Sequence, residues 1–280
     1  MPTTRELLID AAEQSPRAVK AQDKTAWINI FAKQYHVEDP VGSKLKVSPE
    51  GETDPLAPLS RFYDTFMAPN EIEFDVTRDL VCGNHVMRDL TLHVKMAGKL
   101  DSFVPMHLLY ELVEEEGRYK VARLEAHWEF EATNKAVLSN GLSALPIMLG
   151  MTKRMIKHLG WRGMLAFGAS SKTVGEAGKR QVHAFFDAFA KRDLTALLGL
   201  MERDTAAVHF PYGQTPLHVE RLLESVEGTL TLSKVLAAGN RITASIRIEA
   251  REAELGREGI VLFEVNPKTL KLREIFFYLE

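Results

Sequence analysis

A single aspartate held in a constrained turn is the residue of this chain best suited to chemistry. It lies in the stretch Val37-Glu38-Asp39-Pro40-Val41-Gly42-Ser43. Pro40 keeps Asp39 out of the helical region, so that its side chain leaves the backbone in a restricted direction, and Gly42 permits a sharp exit. A carboxylate fixed at the mouth of an apolar domain has the reach and dry surroundings of a proton-abstracting base. We therefore expect Asp39 to act as a general base, with an exposed turn aspartate as the alternative.

The first 130 residues change from a helical to an alternating pattern, which indicates how Asp39 is positioned. Apolar residues at helical spacing predict one helix that Pro16 interrupts and a second that runs to about Tyr35. A polar loop and a short helix follow, and strands are then predicted at 71–82, 85–97, 102–114 and 119–130. Helices followed by a meander of antiparallel strands predict an α+β fold, in which the helices pack on one face of a curved sheet. Such a sheet forms a cone with a pocket at its open end.

The second half of the chain repeats this layout. The distance along the chain from Asp193 to Pro211 is within one residue of that from Asp23 to Pro40. Alternating segments at 228–237, 240–254, 258–265 and 270–279 again predict strands. The sequence therefore predicts two tandem cone-shaped α+β domains, over residues 1–131 and 179–280.

Residues 132–178 do not continue either pattern. An apolar stretch at 142–167 is interleaved with basic residues such as Lys153, Lys157 and Arg162. We interpret the segment as an amphipathic linker helix between the domains, with a lid that contacts a membrane or lipid as the alternative.

Composition narrows the class of protein. The 280 residues carry a formal net charge of -3, so nucleic acid is not an expected partner. Cys82 is the only cysteine, which excludes an intrachain disulfide and favours a reducing compartment. The N-terminus shows no apolar signal region, and no run of the chain is long and apolar enough to span a bilayer. We expect a soluble cytoplasmic protein.

The Asp39 turn resembles that of the bacterial ketosteroid isomerases. These enzymes are members of the nuclear transport factor 2-like superfamily, which also contains the SnoaL-like polyketide cyclases. The resemblance extends through Phe62-Tyr63, runs without a gap from Pro69 to His107, and resumes at 125–128. It covers most of residues 15–130 and implies a cystatin-like cone, with a weaker match for the second half.

The resemblance implies a base opposite hydrogen-bond donors. Asp39 matches the family aspartate that removes a proton next to a ketone and returns it elsewhere on the dienolate. The family's oxyanion hole is a tyrosine on the first helix and a protonated aspartic acid on the third meander strand. Ser15 falls near the first position and His107 on the second. The N–H of His107 can donate to a developing enolate oxygen, and Tyr63 matches a tyrosine of the supporting network.

The remaining matches concern the pocket wall and the second repeat. Substrate-binding positions are expected at Trp128, Leu90, Leu92 and Val94. In the second copy Phe210 stands for Asp39, and the counterpart of His107 is near Val261. We therefore expect that copy to be catalytically inert, either as an intrachain structural partner of the first domain or in a homodimer.

The expected function is that of a cofactor-independent enzyme of the ketosteroid isomerase type. It would enolise a hydrophobic, steroid- or polyketide-like carbonyl compound, with a related cyclase or dehydratase reaction as a variant. The alternative is a non-catalytic protein that binds a hydrophobic ligand or serves as a scaffold. The histidines are scattered without ligand spacing, so no metal site is predicted. Arg88 and Asp89 are adjacent, which argues against the paired residues of limonene-type epoxide hydrolases.

Overall fold

A computed structural model describes residues 2–202, 206–226, 228–249 and 257–280. The chain divides into two compact units. The first comprises the chain up to Asp79 together with Asn84–Ser171, and the second comprises Leu80–Gly83 and Lys172–Glu280.

The first unit begins with two helices and a strand. Helix α1 (Thr4–Lys20) starts at a capping box formed by Thr3 and Glu6, and helix α2 (Lys24–Asn29) starts at Asp23, whose side chain accepts from the backbone N–H of Ala26. The second helix does not reach Tyr35 as predicted. Strand β1 (Phe31–Glu38) occupies those residues instead and delivers Asp39 at its end.

The four predicted strands of the first unit are present. Helix α3 (Ala57–Phe62) continues as a π-helical turn to Met67 and leads to β2 (Asn70–Cys82), β3 (His85–Met96), β4 (Leu100–Glu115) and β5 (Arg118–His127). The sheet order is β1-β5-β4-β3-β2, and β1 runs parallel to β5. This parallel pairing explains why residues 31–38 are extended despite their helix-like spacing, because the partner strand supplies the backbone hydrogen bonds.

The segment expected to be a linker belongs to the first unit as far as Ser171. It forms α4 (Phe130–Leu138) and α5 (Ala144–Gly168), which breaks at Gly160 with a positive φ of 68°. Val137, Ala144 and Ile147 pack with Leu100 of β4, so apolar burial attaches the segment to the sheet. Large apolar side chains remain exposed at Leu142, Leu145, Leu149, Trp161 and Leu165. Among the described residues no helix is both long and apolar enough to cross a membrane.

The second unit repeats the order of elements. Its helices and strands are α6 (Gly175–Ala190), α7 (Leu194–Leu200), β6 (Ala207–His209), α8 (Val219–Ser225), β7 (Thr229–Ala238), β8 (Arg241–Glu249), β9 (Arg257–Val265) and β10 (Leu272–Leu279). Its sheet order, β6-β10-β9-β8-β7, matches that of the first unit. The last five residues of the strand predicted at 240–254 lie outside the described residues. The predicted α+β fold with two repeated units is confirmed.

Candidate active site

A mostly apolar cavity of about 170 Å³ lies inside the first unit, between its helices and the inner face of its sheet. Strands β3, β4 and β5 contribute alternate residues, α1, α2 and α3 contribute one wall, and α5 contributes Ile147, Met151, Arg154 and Phe167. The polar side chains in the lining are Ser15, Asp39, Thr65, Asn70, Tyr110, Thr133 and Arg154. Few polar groups therefore face a volume enclosed largely by hydrocarbon, which is the composition of a site for a hydrophobic ligand.

Asp39 lies in the cavity wall, and two contacts fix its position. The N–H of Val41 donates to the carbonyl of Ala126 at 2.9 Å, which ties the turn to β5. The indole Nε1 of Trp128 donates to Asp39 Oδ1 at 2.6 Å. Burial raises the pKa of Asp39 to about 6, while the hydrogen bond from Trp128 acts in the opposite direction. The carboxylate is therefore ionised at neutral pH and more basic than an ordinary aspartate.

The expected wall residues divide into two groups. The structure places Leu92, Val94 and Trp128 in the cavity lining. Leu90 lies on the same strand face but is completely buried and does not reach the lining. On β3 the lining is therefore formed by Leu92, Val94 and Met96.

His107 does not face the cavity, which corrects its expected position. On β4 the lining residues are Val104, Met106, Leu108 and Tyr110. Because side chains of a strand alternate between faces, His107 points to the opposite face of the sheet. There it is fully buried, pairs in register with Asp89 of β3, and places its Nε2 3.8 Å from Asp89 Oδ2. An oxyanion donor at this residue would need a shift of register by one position.

Tyr63 also lies outside the lining. It is buried on the π-helical turn, and its ring centroid is 5.6 Å from that of Trp27. Its hydroxyl has no hydrogen-bond partner within the described part of the chain, and burial raises its pKa. The structure thus does not bring Tyr63 to Asp39.

Sequence reasoning missed a group of polar side chains at the inner end of the cavity. Tyr110 and Ser15 are both buried and both line this end. Ser15 Oγ accepts a hydrogen bond of 3.2 Å from the indole N–H of Trp27. The hydroxyl of Tyr110 makes no hydrogen bond of normal geometry among the described residues, although Ser15 and Arg88 lie close enough to act on its pKa, which burial raises. An available signal was the alternation on β4, which places Tyr110 on the same face as Met106 and Leu108.

Arg88 lies behind this end of the cavity and is only 2% exposed. Its Nε donates to Asp79 Oδ1 at 2.6 Å, and its Nη2 donates to Glu13 Oε2 at 2.6 Å and to Asp79 Oδ2 at 3.1 Å. Burial acts to lower the pKa of Arg88, but the hydrogen bond to Asp79 and the other negative neighbours raise it above its usual value. Asp89 lies on the opposite face, as alternation requires. The sequence signal was an arginine within an apolar strand, which demands buried partners.

No group of three or more histidine, cysteine, aspartate or glutamate side chains that could hold a metal ion is found in the described ranges.

Comparison with known proteins finds similarity to solved structures only. No protein-family model matches the chain, and no curated protein matches it in sequence. A Δ5-3-ketosteroid isomerase from Mycobacterium sp. is 24% identical, with a TM-score of 0.38, over 45% of this chain and 95% of the isomerase. A Mycobacterium tuberculosis protein, RV0760c, solved in complex with estradiol-17β-hemisuccinate, is 20% identical, with a TM-score of 0.38, over 44% of this chain and 95% of that protein.

An LEH-like epoxide hydrolase from M. tuberculosis is 16% identical, with a TM-score of 0.37, over 50% of this chain and 95% of the hydrolase. The solved structures to which this chain is similar are thus ketosteroid isomerase-like and epoxide hydrolase-like proteins, at low identity, and those named here each cover half of the chain or less.

Proposed function

We propose that the first unit is a cofactor-independent enzyme in which Asp39 removes a proton from the carbon next to the carbonyl group of a hydrophobic substrate. The observation that carries the proposal is a carboxylate with a pKa of about 6 in the wall of an apolar cavity. Return of the proton at another carbon of the enolate would make the reaction an isomerisation. The steroid- or polyketide-like nature of the substrate, taken from the resemblance, belongs to the same proposal.

The surroundings of Asp39 suit a base. An acid with a pKa near the working pH is ionised there and still binds a proton more strongly than an ordinary aspartate, so proton abstraction from carbon is less unfavourable. The Trp128 N–H holds Oδ1 and leaves Oδ2 as the oxygen that would take the proton. Apolar walls exclude water that would otherwise solvate the carboxylate and weaken its basicity.

The cavity also limits the size of the substrate. A volume of about 170 Å³ exceeds that of an engineered apolar cavity of roughly 150 Å³ that binds benzene. We therefore expect a ligand, or the inserted part of a ligand, of one or two fused rings. A bicyclic ketone such as 2-tetralone is a suitable probe.

The test is exchange of the α-protons of 2-tetralone for deuterium in D₂O, followed by proton NMR. We expect the protein to accelerate the exchange and Asp39→Asn to lower its contribution by about 100- to 10,000-fold, the usual contribution of a general base. Asp75→Asn is the matched control, because Asp75 is exposed on β2 and lies outside the cavity lining. Equal exchange by Asp39→Asn and the unchanged protein would refute the proposal.

A second candidate is a protein that binds a hydrophobic ligand without chemistry. The observation that favours it is the orientation of His107, which leaves the expected oxyanion donor on the other face of the sheet. Under this alternative the protein binds 2-tetralone with the same affinity in Asp39→Asn and shows no exchange above the buffer rate.

A further inference from the structure

We propose that the first unit docks on the surface of an anionic lipid bilayer through the exposed side of α5. This side presents an exposed apolar or basic residue at every fourth position of the helix, and these residues are Leu145, Leu149, Lys153, Lys157, Trp161 and Leu165. We call these six side chains the α5 face. The proposal rests on the surface of the first unit and does not depend on the proposed function of its cavity.

Exposed apolar side chains are concentrated around the α5 face. Among the described residues ten large apolar side chains are exposed, and six of them lie in the tenth of the chain that runs from Leu138 to Leu165. Leu149, Trp161 and Leu165 are 62%, 65% and 69% exposed. A group of apolar side chains in contact with water usually marks the site of a binding partner.

The opposite side of α5 holds the helix flat against the first unit. Ile147 packs with Leu100 of β4, and Met151 and Phe167 line the cavity. Residues four apart lie on the same side of a helix, so the α5 face forms a stripe that points away from this packing and changes direction at Gly160. A helix with one side buried in the protein and the other apolar and basic has the arrangement of a helix that lies in the plane of a bilayer surface.

The charge of this segment identifies the kind of surface. Residues 132–175 contain six lysine and arginine residues and no aspartate or glutamate, whereas the whole chain has a net charge of -3. Lys153, Lys157 and Arg162 form no ion pair with any of the described residues. Apolar side chains can enter the boundary between headgroups and acyl chains while the cations meet anionic headgroups. The α5 face is therefore complementary to a bilayer that contains anionic lipids.

Trp161 suits the same partner. Tryptophan is enriched at the interface between membrane and water, because its ring is apolar and its N–H is polar. Trp161 directly follows the break at Gly160 and is exposed, whereas Trp27 is completely buried and Trp128 lines the cavity. Trp161 is thus the tryptophan whose fluorescence reports on this surface.

A second copy of the chain is less complementary to the α5 face. In a two-fold symmetric dimer the same surface meets itself, so Lys153 and Lys157 would lose water and face the cations of the partner copy. Cations that are buried without a counter-charge destabilise an interface. An anionic bilayer supplies the counter-charge.

The experiment measures sedimentation of the full chain with vesicles of phosphatidylcholine, either alone or with about 30% phosphatidylserine. We expect binding to the anionic vesicles, a loss of affinity at high salt through screening, and little binding to the neutral vesicles. Replacing Lys153→Gln and Lys157→Gln together should weaken the binding to anionic vesicles about 20- to 30-fold, because each cation near such a surface contributes roughly fivefold. Leu149→Ala should weaken it about 5- to 50-fold through lost apolar burial.

Matched controls come from exposed residues of the second unit. Lys191→Gln with Lys268→Gln removes the same charge, and Leu198→Ala removes the same apolar group from a side chain that is 48% exposed. Both control variants should bind anionic vesicles as the unchanged protein does. Failure of the unchanged protein to sediment with anionic vesicles, or equal losses in the α5 and control variants, overturns the proposal.

Fluorescence locates the contact. Brominated phospholipids in the anionic vesicles should quench part of the tryptophan emission, and Trp161→Phe should remove that part. Quenching that persists unchanged in Trp161→Phe overturns the α5 face as the docking surface. A dimer that forms without vesicles and dissociates in Leu149→Ala, as measured by analytical ultracentrifugation, assigns this face to a second copy and likewise overturns the proposal.

Discussion

The two units have the same sheet order, so residues can be matched between them by strand register. Across the first sheet Arg88 pairs with Leu108 and Leu108 with Ala126, and across the second sheet Ala244 pairs with Val261 and Val261 with Phe277. The turns Gly83-Asn84 and Gly239-Asn240 occupy the same place before β3 and β8. The comparison therefore rests on pairing and on the position of turns.

The matched positions differ in chemistry. Tyr110 pairs with Leu124 where Phe263 pairs with Ile275. Ser15 and Phe185 stand at the same distance before the residues that cap α2 and α7. Phe185 and Phe263 are fully buried and meet edge to face, with ring centroids 5.5 Å apart.

The position of Asp39 differs between the units in the same way. Phe210 follows the first strand of the second unit, as Asp39 does in the first, and its ring centroid is 5.1 Å from that of Phe277. In the second unit aromatic rings thus fill the space that the first unit leaves open and lines with Asp39, Ser15 and Tyr110.

The comparison of the two units shows which features of the first unit the fold itself does not require. A cavity lowers the stability of a fold because the surrounding side chains lose packing contacts. Buried polar groups also lower stability unless they are hydrogen-bonded or paired. The second unit keeps the same topology with Phe185, Phe210 and Phe263 at the positions that match Ser15, Asp39 and Tyr110. Under the proposed function, the cavity and Asp39 of the first unit are explained by binding and chemistry, and the experiments that follow test this contrast.

The largest expected effect concerns Arg88, whose matched residue is Ala244. Arg88→Ala should lower the free energy of unfolding by about 3–5 kcal/mol, because it leaves the carboxylates of Asp79 and Glu13 close together without their counter-charge. Chemical denaturation measures the change. Arg17→Ala is the control, since Arg17 forms an exposed ion pair with Asp10 and its loss should cost about 0–1 kcal/mol. Equal effects of the two substitutions would contradict the role assigned to Arg88.

The next largest effect is on ligand binding, when a residue of the first unit is replaced by its counterpart from the second. Ser15→Phe, which copies Phe185, should fill the inner end of the cavity and weaken 2-tetralone binding on the order of 100-fold through steric overlap. Ser15→Ala leaves the volume open and should retain binding of this ligand. Calorimetry distinguishes them, and undiminished binding by Ser15→Phe would place the ligand elsewhere.

A smaller effect is expected in the pH profile of proton exchange. The rate should rise with pH around a midpoint of about 6, because the base must lose its proton. Trp128→Phe removes a hydrogen bond that lowers the pKa of Asp39, so the midpoint should move to higher pH and the rate at pH 6 should fall by less than about tenfold. A midpoint that moved to lower pH would show that Trp128 does not stabilise the carboxylate.

A further effect concerns the stability of the protein as a function of pH. The folded-state pKa of Asp39 is raised above the ordinary value of 3.8, so the folded protein binds this proton more tightly than the unfolded chain does. The contribution of Asp39 is therefore most favourable below about pH 4 and is lost as pH rises through about 6, by up to about 3 kcal/mol. Asp39→Asn should flatten this part of the curve in denaturation experiments, whereas Asp75→Asn should not change it.

Much of the architecture could be predicted because strands and turns show themselves in short stretches of the sequence. Alternating residues from Glu71 onward predict the four strands of the first meander, and the second half shows the same arrangement. Asp39 could be singled out because Pro40 and Gly42 restrict the backbone around it whatever the rest of the chain does. Leu92 and Val94 follow from strand alternation once one face of the strand is known to be internal.

Other features depend on partners that are remote in sequence. Residues 31–38 have an apolar spacing that suits a helix, and only pairing with β5 makes them a strand. For His107 a single position of register decides between the cavity and the opposite face, and the family resemblance does not set the register of β4. Attachment of α5 to the first unit required the apolar surface that Leu100 and its neighbours present.

The sequence by itself determined a repeated α+β chain with one well-placed carboxylate, because turns and alternation act over a few residues. Only the tertiary structure decided which polar groups lie in the cavity wall with Asp39 or directly behind it. Ser15, Arg88 and Tyr110 lie on α1, β3 and β4, and no spacing along the chain indicates that they meet. Their proximity results from the packing of α1 against the curved sheet, and burial then gives these hydroxyl and guanidinium groups their chemical character.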